Sequence, residues 1–376
     1  MGNEALFQQR AERIEKAIRH QPVDQIPTVF IGTAFAPRWM GMTQAQFMTD
    51  PDAAIDVTIA AMARLGDIDG INLWPVGYHA INLSTIWLSK VLIPGRDLPD
   101  DALWQVVEKE TMSVEDYDTI AQGGWQPFLE SFLPKVVDME MFQAHTAWIM
   151  NSFPHELDKF KAAGYAPVVS AITTIPFEML CGGRSMSRFF MDLYREPARV
   201  RAALEVMVPA MIENAVGACA LSGVPRVWVG GWRSASAMLA PKIWDEFVWP
   251  HLRTIALALI DKGITPVLHW DQDWTRDLAR LKELPAKSVV LNPDGMTDVR
   301  KAKELLGDHV AIMGDLPSSI LTTGTPDDVY KYIEALVRDI GPTGLILCPG
   351  CDGPIDAKPE NFEAFAAASR EFGRVS

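Results

Sequence analysis

The chain has 376 residues, 48% of them hydrophobic, with a formal net charge of −14 and a sequence pI near 5.0. So acidic a chain argues against a nucleic-acid partner, because phosphate binding requires clustered Lys and Arg side chains. The length and apolar content suit one elaborated α/β domain with a large core and argue against global disorder.

The N-terminal segment, residues 1–20, is charged and amphipathic and lacks the apolar stretch of a secretory signal. No window of ~18 uninterrupted apolar residues occurs, so the sequence predicts no membrane-spanning helix. Four cysteines in such a chain predict thiols or metal ligands rather than disulfides. Together these features favour a cytoplasmic protein without a membrane partner.

Eight short, mostly apolar runs recur along the chain, and a loop rich in Gly, Pro or Asp follows each of them. They cover residues 26–32, 70–75, 166–177, 224–231, 265–271, 288–294, 310–316 and 344–350. Continuous apolar runs are typical of parallel strands that are covered on both faces. Alternation with helical windows predicts an α/β fold, a (β/α)₈ TIM barrel. A doubly wound open sheet is the weaker alternative, because no G-x-G-x-x-G follows a run.

Helical patterns fill the segments between the later runs. The window 199–223 ends at Gly223, a typical helix stop, whereas Pro250 predicts a break within the window 241–263. A third helical window covers residues 326–341.

About 90 residues, 76–165, separate the second and third runs, far more than a minimal βα unit needs. Residues 97–110 and 114–131 in this segment are predicted to be helical. We interpret the segment as a helical insertion over one barrel mouth that contributes to a substrate chamber or lid. Without a low-complexity linker, residues 1–376 are expected to form a single domain.

Candidate metal ligands follow two of the predicted strands. His269 and Asp271 are two residues apart, so an extended strand would point them to the same side. Cys348 ends the eighth run, and Cys351 lies in the loop after it. Because functional groups of parallel barrels lie at the carboxyl ends of the strands, these residues are expected to converge at one mouth. Nitrogen, oxygen and sulfur ligands suit zinc, and an open fourth position would permit Lewis-acid catalysis.

Other interpretations of these residues stay open. The C-x-x-C pair could be a redox dithiol, although the loop after it, with two prolines, delays the helix that such a pair normally opens. It could also be two packed structural thiols. Asp271 and Asp273 could cap the helix that begins near residue 275, and Asp273 is the better placed of the two.

Further polar candidates lie near the same mouth. Glu178, just after the third run, could supply a proton, bind the metal or interact with a helix N-terminus. Phe177 beside it is a candidate for substrate contact. Arg233, after the fourth run, could hold an anion or pair with an acid.

Tryptophans are frequent near the predicted strand ends. Trp74, Trp228 and Trp270 lie on or just after such strands, and Trp232 and Trp274 follow in loops. Trp232 and Trp274 are predicted to wall a pocket for a flat or methylated substrate. Core packing is the alternative for each, since Trp is heavily buried on average.

Three segments resemble the uroporphyrinogen decarboxylase superfamily: residues 13–30, 266–271 and 313–365. The resemblance runs over about 20–370 and implies a (β/α)₈ barrel. One branch of the superfamily decarboxylates uroporphyrinogen and carries an Arg-Gln-Ala-Gly-Arg segment after the first strand and an Asp after the second. Here GTAFAPRWMG and PVGYHA occupy those places, and only Arg38, displaced, could replace an arginine. The resemblance therefore points away from that branch.

The other branch comprises zinc-dependent, corrinoid-linked methyltransferases, whose ligands are a His-x-Cys and a later Cys. The matching positions are His269, Asp271 and Cys351, with Cys348 a further candidate ligand. Asp in place of the middle Cys makes the zinc ion a harder Lewis acid. The resemblance thus implies a demethylase that moves a methyl group from an O-methyl or N-methyl substrate to cobalamin on a partner corrinoid protein, with Glu178 and Asp271 as catalytic candidates. A homodimer is compatible with this interpretation, and a decarboxylase-like lyase or a non-catalytic binding barrel is the alternative.

Overall fold

The computed structural model describes residues 2–72, 80–169 and 171–375, without the side chains of residues 80 and 81. Among these residues, nine short strands pair in parallel at the centre, and two further strands form a separate antiparallel pair. The strands are β1 (Val29–Phe30), β2 (Gly70–Ile71), β3 (Val91–Leu92), β4 (Gln105–Val106), β5 (Ala166–Pro167), β6 (Ala171–Thr174), β7 (Arg226–Gly231), β8 (Thr265–Trp270), β9 (Val290–Pro293), β10 (Ala311–Leu316) and β11 (Leu345–Pro349).

Each of the eight apolar runs contains an observed strand. The third run contains two, β5 and β6, and only residues 70–72 of the second run lie within the described chain, so Trp74 lies outside it. Strands β7, β8 and β10 are buried along their whole length. Burial on both faces explains why these runs are apolar throughout rather than alternating.

Parallel pairing arranges the strands in the order of an eight-stranded barrel. One sheet has the order β1-β2-β5 and the other β6-β7-β8-β9-β10-β11. Strands β5 and β6 are neighbouring segments of the chain, and Thr28, just before β1, bridges to Leu347 of β11. The α/β fold predicted from the sequence is confirmed.

Helices cover the strands, and many begin with proline in the first turn, where its missing N–H costs nothing. The helices are α1 (Asn3–Ile18), α2 (Phe35–Trp39), α3 (Gln44–Thr49), α4 (Pro51–Leu65), α5 (Ala80–Trp87), α6 (Glu115–Gly123), α7 (Trp125–Phe132), α8 (Met139–Asn151), α9 (Phe153–Ala162), α10 (Pro176–Arg184), α11 (Met186–Arg195), α12 (Pro197–Ser222), α13 (Pro241–Phe247), α14 (Trp249–Asp261), α15 (Val299–Leu306), α16 (Ser318–Thr323), α17 (Pro326–Ile340) and α18 (Pro359–Phe372). Short 3₁₀ helices cover Leu133–Lys135, Ser236–Met238 and Thr275–Glu283.

The predicted helix boundaries near glycine and proline are observed. Gly223 ends α12 in a left-handed conformation (φ 72°), and the break expected at Pro250 separates α13 from α14 at Val248. Among the described helices, α12 has the length and apolar composition to cross a membrane, which the uninterrupted-run criterion did not detect. In this fold α12 packs against α6, α14 and β6.

The segment between β2 and β5 holds helices α5 to α9 and a hairpin of β3 and β4. The helix predicted over 97–110 is wrong: this stretch turns around Pro99 and then forms β4, because Val106 pairs with Val91. The helix predicted over 114–131 is two helices, α6 and α7, separated by Gly124 at φ 90°.

The backbone of the segment between β2 and β5 lies in close contact with the backbone of a barrel helix. A Cβ at Gly182 of α10 would lie 1.9 Å from the carbonyl oxygen of Trp87, so only glycine fits there. The next residue, Gly183, accepts backbone hydrogen bonds from Thr111 and Met112, each 2.8 Å long. This contact fixes α5, and therefore Trp87, beside the barrel mouth.

An ionisable pair links β10 to α17. Asp315 is buried, and its carboxylate accepts a 2.7 Å hydrogen bond from the hydroxyl of Tyr332. Burial raises the pKa of Asp315 from its ordinary value of 3.8 to about 7. A carboxyl group whose pKa is higher in the folded state stabilises the fold most below its unfolded pKa, and this contribution is lost as the pH rises through the folded pKa.

Replacing Asp315 by Asn removes the ionisable group and keeps an oxygen that can accept from Tyr332. We expect the melting temperature of Asp315→Asn, relative to the wild type, to be several degrees higher at pH 8 than at pH 5. Thermal unfolding followed by circular dichroism at both pH values measures this difference. An equal difference at the two pH values would show that Asp315 titrates alike in the folded and unfolded chain.

Candidate metal centre

Three side chains from two strand ends meet at the barrel mouth. His269 lies near the end of β8, Asp271 follows that strand, and Cys351 lies in the loop after β11. One ligand atom from each residue lies within 4.8 Å of those of the other two. His269 is buried, whereas Asp271 and Cys351 are half-buried. The convergence predicted from the strand order is therefore present in the fold.

The donor atoms of this cluster suit a bound cation. The imidazole Nε2 of His269 lies 3.1 Å from Oδ1 of Asp271. This Oδ1 atom is buried and accepts no hydrogen bond from any described residue. A tetrahedral zinc site with N, O and S ligands has ligand separations of about 3.3–3.8 Å, so small side-chain rotations would close the cluster. The residues therefore fit a zinc ion.

The two cysteines of the C-x-x-C pair have different environments. Burial, with a contribution from the charge of Asp271, raises the pKa of the Cys351 thiol well above its ordinary range. A cation held by the cluster would favour its thiolate. Cys348 is fully buried, its Sγ lies 4.0 Å from Nδ2 of Asn72, and it is not part of the cluster. The structure therefore places Cys351 in the cluster and Cys348 outside it, whereas the sequence alone left Cys348 as a further candidate ligand.

A buried polar network lies under His269. The Nδ1 atom of His269 is 3.1 Å from Oδ1 of Asn292 on the neighbouring strand β9, and Asn72 donates to the same oxygen. Trp228 stacks on the imidazole with ring centroids 4.2 Å apart. Asn72 and Asn292 were not predicted as site residues, although each is a lone amide in an apolar run, a pattern typical of a buried polar contact.

A cavity of about 230 Å³ opens onto the cluster. It is lined by Ile31, Leu83, Ile86, Trp87, Trp104, Ile172, Trp228, Trp232, His269, Asp271, Cys351 and Asp352. Four of these are tryptophans, and none of the described lining residues is Lys or Arg. The cavity is therefore aromatic and apolar, with its polar groups collected at one end.

The tryptophans form a continuous wall between the insertion and the barrel. Trp87 lies 5.5 Å from both Trp104 and Trp232, measured between ring centroids, and Trp232 lies 6.1 Å from Trp228. Trp232 thus lies where the sequence predicted it. Trp87 and Trp104 were missed, because they belong to the segment 76–165, whose packing no local pattern reveals.

Two residues predicted to contact substrate lie in the core instead. Phe177 is fully buried and packs edge-to-face on Phe189, with ring centroids 4.9 Å apart. Trp274 stacks on Trp270 at 4.3 Å, and its Nε1 donates a 2.8 Å hydrogen bond to the carbonyl oxygen of Asp271. Neither lines the cavity. Trp274 instead holds the backbone of a cluster residue.

Arg233 pairs with an acid of the insertion rather than facing the cavity. Its Nη2 lies 2.9 Å from Oε2 of Glu108. This is the alternative that the sequence analysis left open for Arg233, and it gives the arginine no contact with the cavity.

Glu178 anchors a loop and is not a member of the cluster. Its carboxylate is fully buried and accepts hydrogen bonds from the backbone N–H groups of Trp232, Arg233 and Ser234 at 2.8, 3.0 and 2.9 Å, and from the Ser234 hydroxyl. Burial raises the pKa of Glu178, while these four donors oppose that shift. With its oxygens so engaged, Glu178 positions the loop that carries Trp232, which corrects the proposed ligand or acid role.

Two aspartates fix the loops around the cluster. Asp273 accepts a 2.8 Å hydrogen bond from the backbone N–H of Thr275, the first residue of the 3₁₀ helix, but the N-cap residue of that helix is Trp274 rather than the predicted Asp273. Asp352 accepts from the backbone N–H groups of Thr33 and Ala34 at 2.6 and 3.0 Å. The second contact ties the Cys351 loop to the loop after β1.

The fold and the site together define an α/β-barrel protein with a His–Asp–Cys cluster at the mouth. The uroporphyrinogen decarboxylase (URO-D) family model matches residues 161–372, more than half of the chain. The chain therefore belongs to the uroporphyrinogen decarboxylase family.

Individual relatives are distant. A uroporphyrinogen decarboxylase from Aliivibrio salmonicida is 24% identical over 208 residues, 54% of this chain and 57% of the relative. One from Chlorobium luteolum is 26% identical over 164 residues, 43% of this chain and 45% of the relative. The matches thus span about half of each relative's length.

Solved structures show the same fold along most of the chain. A methyltransferase from Methanosarcina mazei superposes with a TM-score of 0.71 at 15% identity, covering 96% of this chain and 98% of its own. A B12-independent methionine synthase from Shewanella sp. W3-18-1 gives a TM-score of 0.50 at 11% identity, covering 92% and 97%. At such identities the likeness establishes the fold alone.

The anchoring role of Glu178 is testable by Glu178→Gln. Glutamine retains one acceptor oxygen and turns an NH₂ group toward a backbone donor, so we expect the free energy of unfolding to fall by ~1–3 kcal/mol. Urea denaturation measures the loss. As a control, Glu108→Gln breaks a more exposed ion pair and should cost less than ~1 kcal/mol. Loss of bound metal from folded Glu178→Gln would instead identify Glu178 as a ligand.

Proposed function

We propose that this protein is a zinc-dependent methyltransferase that moves a methyl group from a small O-methyl or N-methyl substrate to a corrinoid carried by a partner protein. The observation that carries the proposal is the His269–Asp271–Cys351 cluster facing an aromatic cavity. Membership of the uroporphyrinogen decarboxylase family and the fold shared with the Methanosarcina mazei methyltransferase support it.

The cluster supplies three zinc ligands: Nε2 of His269, a carboxylate oxygen of Asp271 and Sγ of Cys351. When bound, zinc would act as a Lewis acid on the substrate heteroatom that loses its methyl group. With one thiolate and one carboxylate the site is harder than one with two thiolates, which favours an oxygen or nitrogen heteroatom over sulfur.

The cavity constrains the substrate. A volume of about 230 Å³ holds roughly eight to twelve non-hydrogen atoms, if each takes about 20–30 Å³. The four tryptophans offer flat faces for stacking and exclude water from the reacting bond. Because no described lining residue is Lys or Arg, an anionic substrate would lose its hydration without gaining a partner.

These features argue against decarboxylation of a porphyrinogen. Such a substrate carries several carboxylates and far exceeds the cavity in size, and the described lining offers no cationic side chain to bind it. The acidic groups of the lining, Asp271 and Asp352, would repel it further. A methylated substrate without anionic groups fits better.

Metal analysis of the purified protein tests the proposal directly. We expect about one equivalent of zinc in the wild type and less than about 0.2 in His269→Ala and Cys351→Ser, because each variant removes a ligand. Inductively coupled plasma mass spectrometry after dialysis measures the metal. Cys219→Ser is the matched control, since Cys219 is a buried thiol of α12 outside the cluster, and it should retain zinc.

Two results would contradict the proposal. One is a wild type that stays free of zinc after expression and dialysis with added zinc. The other is His269→Ala that still transfers methyl groups to a corrinoid protein at the wild-type rate.

The charge preference of the cavity gives a further prediction. We expect methoxybenzene to bind at least tenfold more tightly than 4-methoxybenzoate, because the carboxylate of the latter finds no cationic partner among the described lining residues. Calorimetric titration of the zinc-loaded protein measures both affinities. Trp232→Leu should weaken methoxybenzene binding about threefold to tenfold, and Trp232→Phe should weaken it less. Tighter binding of the benzoate would contradict the proposed substrate class.

A further inference from the structure

The amide of Asn292 has a single orientation that its neighbours determine. Asn292 is fully buried on β9, in register with His269 of β8. On one side it lies 2.8 Å from the backbone carbonyl oxygen of Met313. A carbonyl oxygen only accepts hydrogen bonds, so the amide nitrogen Nδ2 must face Met313. The amide oxygen Oδ1 therefore faces His269.

A second contact agrees with this orientation. Asn72 of the chain segment after β2 donates from its Nδ2 to Oδ1 of Asn292 at 2.9 Å. The opposite orientation of the Asn292 amide would leave the Met313 carbonyl facing an oxygen, and it would bring two NH₂ groups together here unless the Asn72 amide turned as well. Both arrangements are costly in a buried site, so Oδ1 remains toward His269.

This orientation selects one tautomer of His269. Because Oδ1 of Asn292 can only accept, Nδ1 of His269, 3.1 Å away, must carry the proton. In the neutral ring the other nitrogen, Nε2, is then a bare lone pair. It points to Oδ1 of Asp271 at 3.1 Å, an oxygen that has no donor among the described residues.

Two lone pairs facing each other at 3.1 Å repel each other unless a proton or a metal ion binds them, and both atoms are donors that a metal ion accepts. In the opposite tautomer Nε2 would carry a hydrogen in place of the lone pair that a metal ion needs. We infer that Asn292, supported by Asn72, is a positioning residue that presents Nε2 of His269 to a divalent cation by holding the ring in its Nδ1–H form. The inference rests on the proposed metal site. Metal-bound histidines commonly donate the N–H of their other ring nitrogen to a hydrogen-bond acceptor of this kind.

Stacking completes the restraint on the ring. Trp228 lies almost parallel to the imidazole, with an angle of 18° between the planes, and so opposes rotation that would break the bond to Asn292. The hydrogen bond sets which nitrogen carries the proton, and the stacked indole sets the plane. Both restraints come from residues outside the His269–Asp271–Cys351 cluster.

The tautomer is measurable in the wild-type protein without any variant. We expect long-range ¹H–¹⁵N spectra of metal-free protein, labelled with [¹⁵N]histidine, to show His269 as the Nδ1–H form, with the signal assigned by its loss in His269→Gln. An Nε2–H form in the wild type would overturn the inference. An Nδ1–H form in a protein that binds no zinc would uphold the inference about Asn292 while the proposed function fails.

Two variants test the link to the metal. Asn292→Leu removes the acceptor, so we expect the zinc dissociation constant, measured by competition with a fluorescent chelator, to rise about 10- to 100-fold, and the His269 signal to shift toward Nε2–H. Asn292→Asp places an oxygen against the Met313 carbonyl but keeps an acceptor for Nδ1–H, so its dissociation constant should rise clearly less than that of Asn292→Leu. Circular dichroism of each metal-free variant confirms that it is folded. Wild-type zinc affinity and an unchanged tautomer in folded Asn292→Leu would overturn the inference.

Discussion

Parallel pairing of β8 with β9 sets His269 opposite Asn292, and the geometry of the site follows from that register. One hydrogen bond across this pair orients the imidazole, and the imidazole then faces Asp271 and Cys351. A slip of one residue would turn His269 out of the mouth and break the contact, because side chains alternate between the faces of a strand. The surrounding fold, with strands buried along their whole length, keeps this register in place.

The site contains several buried polar groups, which are unusual in a core that serves only to stabilise the fold. Buried amide, imidazole and carboxylate groups cost free energy unless each finds a partner. Asn292 bonds to both Asn72 and the Met313 carbonyl, whereas Oδ1 of Asp271, like Oδ1 of Asn72, is left without a donor among the described residues. A bound cation would satisfy this buried carboxylate oxygen. We therefore interpret the cluster as a functional centre rather than as core packing.

The insertion turns an open mouth into an enclosed aromatic cavity. Trp87 and Trp104 come from this segment, and Trp228 and Trp232 come from the barrel. The contact between the tryptophans of the insertion and those of the barrel depends on Gly182, because any side chain there would collide with the backbone of Trp87. Glu178 acts on the barrel side, where it holds the loop of Trp232 through three backbone N–H groups. The shape of the cavity is therefore a property of how the insertion packs on the barrel helices.

The sequence by itself determined the eight parallel strands, the mouth at their carboxyl ends and the convergence of His269, Asp271 and Cys351, because strand order and apolar runs are local patterns with a fixed geometric consequence. Only the tertiary structure decided the rest. Phe177, Trp274 and Glu178 have the residue types of a binding site, but long-range packing places them in the core or on a loop backbone. Trp87, Trp104 and Asn292 acquire their roles from contacts with residues distant in the chain, and such contacts leave no periodicity in the sequence for a reader to detect.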